Sequence, residues 1–220
     1  MKSELDRQIT ESAELSDELL AKKIDKFLHI HTEEIQNDGK DTFHHHRYEP
    51  TPYRVLHELF EQLTVTEHDA ILDYGSGLGR LCFYASHRYH CPCTGVEFSQ
   101  PLHRQAEQNQ SQFRGIYKDR IQFVHAGAED YEIPDNIRFI YCFNPFSTDV
   151  FRRVLSNIER SFERSPRTIT LVLYYPEDNT IFYIEHHTSF QLLREIPLSG
   201  LFEKDRRERF AIYNLVNHGI

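Results

Sequence analysis

Asp73 and Glu97, with Gly75, Gly77 and Gly79 between them, are the residues whose types and spacing could do chemistry. Residues 71–80 read ILDYGSGLGR. Ile71 and Leu72 belong to a short buried strand that Asp73 closes. The alternating glycines then make a turn too tight for a Cβ, and residues 81–89 read as a helix. Thr94, Gly95 and Val96 form a second strand, with Glu97 at its carboxyl end. Strand, glycine-rich turn, helix, strand and acid make one nucleotide-binding βαβ unit. The turn departs from the dinucleotide fingerprint, because Arg80 stands where a last Gly or Ala belongs. A carboxylate at the mouth of this turn would repel a pyrophosphate. It suits a ligand that carries an ammonium or sulfonium and no phosphate. Glu97 can accept two hydrogen bonds from a ribose diol.

On these residues the chain resembles the class I S-adenosylmethionine-dependent methyltransferases, whose first motif is (D/E)xGxGxG and whose second ends in an acid. The resemblance implies S-adenosylmethionine as cofactor, with Asp73, Gly75, Ser76, Gly77, Gly79, Glu97 and Phe98 around it. In methyltransferases of this type the segment before the first strand often folds over the methionine end of the cofactor. Tyr48 and Thr51 match that placement, with Tyr53 facing the substrate pocket; an ordinary helix-capping loop is the alternative. The family's adenine border falls on residues 125–131, where Gly127 replaces its usual acid. That leaves the contact to the backbone of Ala128 and the side chain of Glu129 or Asp130. Asn144-Pro145-Phe146 is similar to the (D/N)PP(Y/F) motif of amino-group methyltransferases, one proline short. Asn144 is the candidate catalytic contact at the cofactor and acceptor. Pro145, Phe146, Tyr174 and Tyr175 would wall the pocket, core or rim packing being the alternative for the tyrosines. Arg80 would reach an anionic substrate or form a surface ion pair. Methyl transfer needs a positioned, desolvated nucleophile rather than an acid–base triad.

The elements that must position these groups follow from periodicity. Residues 1–40 read as helical, with Leu15, Leu19, Ile24, Phe27, Leu28 and Ile35 at helical spacing, Ser16 as N-cap and Asn37-Asp38-Gly39 as the stop. Pro50 and Pro52 hold the next segment extended before a helix that runs to about Leu63. A further helix spans about 99–113. Strands are predicted at 121–124, 138–143, 168–175, 190–196 and 209–216, with an amphipathic helix over 150–162. The fold class is α/β. The series fits a three-layer Rossmann-like sandwich with a mostly parallel seven-stranded sheet, a C-terminal antiparallel hairpin and an N-terminal helical extension. The extension is placed at 1–47 and the methyltransferase domain at 48–220.

Bulk properties narrow the partners. The 220 residues carry a formal net charge of −9, which argues against nucleic acid as substrate. The basic run at 204–209, KDRRER, is broken by Asp205 and Glu208 and reads as a solvated hairpin loop. No apolar run is long enough to span a membrane, and the polar N-terminus lacks a signal core, so the chain is read as cytoplasmic. Cys82, Cys91, Cys93 and Cys142 read as reduced thiols. His44, His45 and His46 are adjacent and cannot all face one ion, so no metal is expected. The acceptor, a small molecule or a protein with an amino group among the candidates, and the oligomeric state do not follow from the sequence. A non-catalytic cofactor-binding module and a nucleotide-dependent oxidoreductase are the competing readings.

Overall fold

The computed structural model describes residues 3–33, 48–143 and 147–216. Seven strands form one sheet: β1 (Ala70–Tyr74), β2 (Cys93–Glu97), β3 (Ile121–His125), β4 (Ile137–Phe143), β5 (Ile169–Tyr174), β6 (Gln191–Pro197) and β7 (Arg209–Leu215). Their order is β3-β2-β1-β4-β5-β7-β6. The first five neighbours pair in parallel, and β7 pairs antiparallel with both β5 and β6. The chain reverses its direction of travel across the sheet between β1 and β4. Such a switch point opens a crevice at the carboxyl ends of the strands, and that is where β1 and β2 deliver Asp73 and Glu97.

Helices cover both faces of the sheet: α1 (Glu4–Thr10), α2 (Asp17–Leu28), α3 (Tyr53–Glu61), α4 (Arg80–Tyr89), α5 (Gln100–Gln112), α6 (Thr148–Arg164) and α7 (Asp178–His187). Strand side chains alternate between the two cores. Ile71, Tyr141, Val172 and Ile212 pack with α1 to α4 on one side, and Leu72, Ile140, Leu171 and Tyr213 pack with α6 and α7 on the other. This parity puts Asp73 on the α4 face, beside its register partners Gly95 and Tyr141.

Three local outcomes differ from expectation. Residues 3–28 form two helices, not one, each with a serine cap: Ser3 accepts from Asp6 N and Ser16 from Leu19 N. Their buried stripe is Leu5, Ile9, Leu20, Ala21, Ile24 and Leu28, joined to the α3–α4 core, while Leu19 is 52% exposed. Helix α7 carries no predictive pattern, because Ile184 alone on it is fully buried. The expected helix stop at 37–39 and the histidine run lie outside the described residues. All four cysteines are buried and free.

Candidate functional site

The glycine loop is built by backbone geometry. Gly75 (φ 75°), Gly77 (φ 52°) and Gly79 (φ 88°) are all left-handed, a region that costs other residues about 1–2 kcal/mol. Gly75 N and Ser76 N both donate to Val96 O, at 2.9 and 3.1 Å, which ties the loop to the end of β2. Gly79 N donates to Ser76 O at 2.8 Å, and Gly79 starts α4. A Cβ on Gly79 would lie 2.4 Å from Phe123 Cζ, and one on Gly77 2.2 Å from Tyr48 Cε2. Gly77 therefore serves a second purpose: it lets the edge of the Tyr48 ring pack against the loop.

Glu97 faces the same loop. Its Oε2 accepts Gly77 N at 2.9 Å and its Oε1 accepts Ser99 N at 2.7 Å. Each oxygen keeps a further lone pair for a diol. Asp73 is 4% exposed, and the charged group acting on it is another acid, Glu97. Burial first, and the Glu97 charge second, push its carboxyl up to about 8. Ser76 Oγ is buried without a hydrogen-bond partner among the described residues. A buried acid facing a like charge, an unused hydroxyl and a positive-φ cradle fit a cationic ligand with a polar edge.

The remaining candidates separate into those brought to this crevice and those spent elsewhere. Thr51 is buried, and its hydroxyl hydrogen-bonds the Tyr141 hydroxyl at 2.7 Å beside Asp73. Tyr48 lies on Gly77, and burial pushes its hydroxyl well above the usual range. Phe98 follows Glu97 and is 66% exposed, its carbonyl facing His125 Nε2 at 2.9 Å. Ala128 is buried in a short 3₁₀ turn after β3. Glu129 directs its carboxylate to Arg153 at 3.1 Å and accepts Asn157 Nδ2 at its carbonyl, so its polar groups are engaged by α6. Asp130 is exposed.

Tyr53, expected at the substrate pocket, is instead packed in the core with its hydroxyl on Asp25 at 2.6 Å. The Tyr174 hydroxyl donates to Glu208 and the Tyr175 hydroxyl to Asp205, at 2.7 and 2.6 Å. Both hydroxyls are thus held by the charged β6–β7 loop, and Arg207 lies over the Tyr175 ring. Arg80 neither reaches out nor makes a surface ion pair: it is 6% exposed and hydrogen-bonded to Thr32 and Thr51. The chain-distant partners Thr32, Asn109 and Tyr141 have no local sequence signal, because they reach the loop only through tertiary packing. Asn144, Pro145 and Phe146 lie outside the described residues.

Residues 71–164, which carry the glycine cradle and both acids, match the family model described as methyltransferase domain. The fold is that of the class I methyltransferases. The chain is similar to an RNA methyltransferase from Salinibacter ruber solved with S-adenosyl-L-homocysteine. That match has a TM-score of 0.56 and 18% identity, over 78% of this chain and 96% of that one. It is also similar to the glycopeptide N-methyltransferase MtfA complexed with S-adenosylmethionine (TM-score 0.57, 11% identity, 74% and 87% covered). A third likeness is to a SAM-dependent methyltransferase from Aquifex aeolicus (TM-score 0.55, 13% identity, 74% and 89% covered). At these identities the likeness is one of fold. No curated protein sequence matches the chain. No helix among the described residues is long and apolar enough to cross a membrane.

Proposed function

We propose that this chain transfers a methyl group from S-adenosylmethionine to an acceptor, a small molecule or a protein, with an amino group the leading candidate atom. The observation that carries the reading is Asp73: a buried carboxyl at the mouth of a positive-φ loop, with the charge of a second acid, Glu97, acting on it. Such a site is stabilised by a cationic ligand and destabilised by a phosphate. When bound, S-adenosylmethionine supplies a methyl already activated by a cationic sulfur. The chain's own part is to bind and orient it. Asp73 supplies the charge partner, Glu97 the acceptors for a ribose diol, and Gly75, Ser76, Gly77 and Gly79 the close backbone approach. Tyr48 and Thr51 would bound the methionine end, and Phe98 and Ala128 the base. Exclusion of water by the Tyr48 ring would leave an acceptor nitrogen desolvated near the end of β4. Asn144 follows β4 directly and is the residue we assign to hold it, with Pro145 and Phe146 alongside.

The finer readings rest on general features. The net charge of −9 argues against a nucleic-acid acceptor. Four free, buried thiols fit a reducing compartment, the cytoplasm.

Calorimetric titration with S-adenosylhomocysteine, with NADH as control and Glu97→Ala alongside, tests the cofactor. Micromolar binding of the former, weakened by roughly 1–3 kcal/mol in the variant, supports the reading. Binding of NADH alone would replace it with an oxidoreductase. An Asn144→Ala variant that binds normally but no longer transfers a labelled methyl to its acceptor then separates an enzyme from a binding module.

A further inference from the structure

We propose that Arg80 is a positioning residue that holds Tyr48 on the glycine loop and so fixes the wall over the methionine end of the cofactor. The inference takes its ligand from the methyltransferase reading above and its geometry from the network around Arg80.

Arg80 is the first residue of α4, directly after Gly79, and its guanidinium turns inward. Its Nε donates to Thr32 Oγ1 at 2.7 Å, one terminal nitrogen to Thr32 O at 2.8 Å and the other to Thr51 O at 3.3 Å. The guanidinium carbon lies 4.7 Å from the Tyr53 ring centroid. A planar fork can serve separate carbonyls while stacking on a ring, which an ammonium cannot. The Thr32 carbonyl that Arg80 holds is also the acceptor of the Tyr48 hydroxyl at 3.1 Å. Thr51, three residues after Tyr48, is the other end of the grip. Arg80 therefore fixes both the anchor of the Tyr48 hydroxyl and the backbone that carries Tyr48.

The charge of Arg80 is balanced from behind, not from the crevice. Asp25 is 2% exposed and accepts Thr32 N, Thr32 Oγ1 at 2.9 Å and the Tyr53 hydroxyl at 2.6 Å. The Thr32 hydroxyl relays between the two charges, donating to Asp25 and accepting from Arg80. Asn109 secures the neighbouring turn: its amide nitrogen donates to His31 O and Leu78 O, and its Oδ1 accepts His31 N. Segment 31–32 is thereby locked to the glycine loop from α5 as well as from α4. With Arg80 committed to these carbonyls, Asp73 keeps its unneutralised character, so the same arrangement builds the wall and leaves the acid free for a cation.

Tyr48→Trp places the chain's only tryptophan on Gly77, since the sequence has none. In that background Arg80 is changed to Ala and, separately, to Lys, and emission and acrylamide quenching are read without any ligand. The expected result is a red shift and severalfold easier quenching in both variants, with cooperative thermal unfolding retained. If Arg80→Ala does not fold, Arg80→Lys, which keeps the charge but loses the fork, decides. Unchanged emission in a folded Arg80 variant overturns the proposal. In the Tyr48 chain, Arg80→Lys weakens S-adenosylhomocysteine binding about tenfold, and the loss disappears when Tyr48 is already Ala; additive losses would also overturn it. A tryptophan that responds to Arg80 in a protein that binds no S-adenosylhomocysteine sinks the cofactor reading and leaves the positioning role standing. Binding that is indifferent to Arg80 does the reverse.

Discussion

At the scale of single residues, Asp73 and the glycines make the sharpest predictions. The Asp73 carboxyl is raised from an ordinary 3.8 to about 8, so the folded, ligand-free chain keeps a proton that the unfolded chain releases. The stability this group contributes is fully present below about pH 4 and is lost as pH rises through about 8. A cationic ligand reverses the preference and expels the proton. Calorimetry of S-adenosylhomocysteine binding near neutral pH, in buffers of different ionisation heat, should show a proton released, with the effect gone above about pH 9. Equal heats in the two buffers would rule this out. The glycines predict a graded cost. Gly79→Ala combines a φ of 88° with a Cβ 2.4 Å from Phe123 Cζ, whereas Gly200→Ala meets a similar φ of 80° with nothing within 4 Å. Urea unfolding should give about 2–4 kcal/mol for the first and about 1–2 kcal/mol for the second. Equal values would mean that the Phe123 ring gives way freely.

Between elements, a partly buried ion-pair cluster joins α1, α3 and α4. Arg88 Nε on α4 lies 2.8 Å from Asp6 Oδ1 on α1, and Arg88 also pairs with Glu61 at the end of α3. His57 Nδ1 stands 3.3 Å from the same Asp6 oxygen. One potential ligand atom each of Asp6, His57 and Glu61 lies within 4.8 Å of the others, but the Arg88 guanidinium already supplies the positive charge between the two acids. Removing one partner strands the other in the interior. Asp6→Ala should therefore cost about 3–5 kcal/mol in chemical denaturation, while Glu4→Ala, whose exposed pair with Arg7 lies on the same helix, should cost under about 1 kcal/mol. Comparable losses at the two sites would sink the distinction.

For the whole molecule, the N-terminal helices belong to the energetics of the sheet. Leu5, Leu20, Ile24, Leu28 and Ile30 are all at most 1% exposed and lie in the core cluster of α3 and α4. At roughly 2 kcal/mol each, their burial is worth about 10 kcal/mol, comparable to the net stability of an ordinary domain. Residues 48–220 expressed alone should thus fail to give a cooperative thermal transition. A sharp transition in that piece, by circular dichroism, would show that the extension is dispensable.

What the sequence determined by itself was everything set by local sterics and short-range alternation. The strand–loop–helix around Asp73, the second acid at the end of β2, the continuous apolar run of β5 and the Ser16 cap of α2 follow from φ, hydrogen-bonding and period, which a few neighbouring residues decide. Tertiary structure alone decided where the long side chains went. Arg80 looked like a surface group because nothing nearby in sequence announces Thr32 or Thr51. Tyr174 and Tyr175 read as pocket walls because the acceptors of their hydroxyls lie on a loop some thirty residues further on. Helix α7 hid because the sheet, rather than its own amphipathic pattern, gives it a place. A long polar side chain takes whichever buried partner the register of distant strands and helices brings within reach, and no local pattern encodes that register.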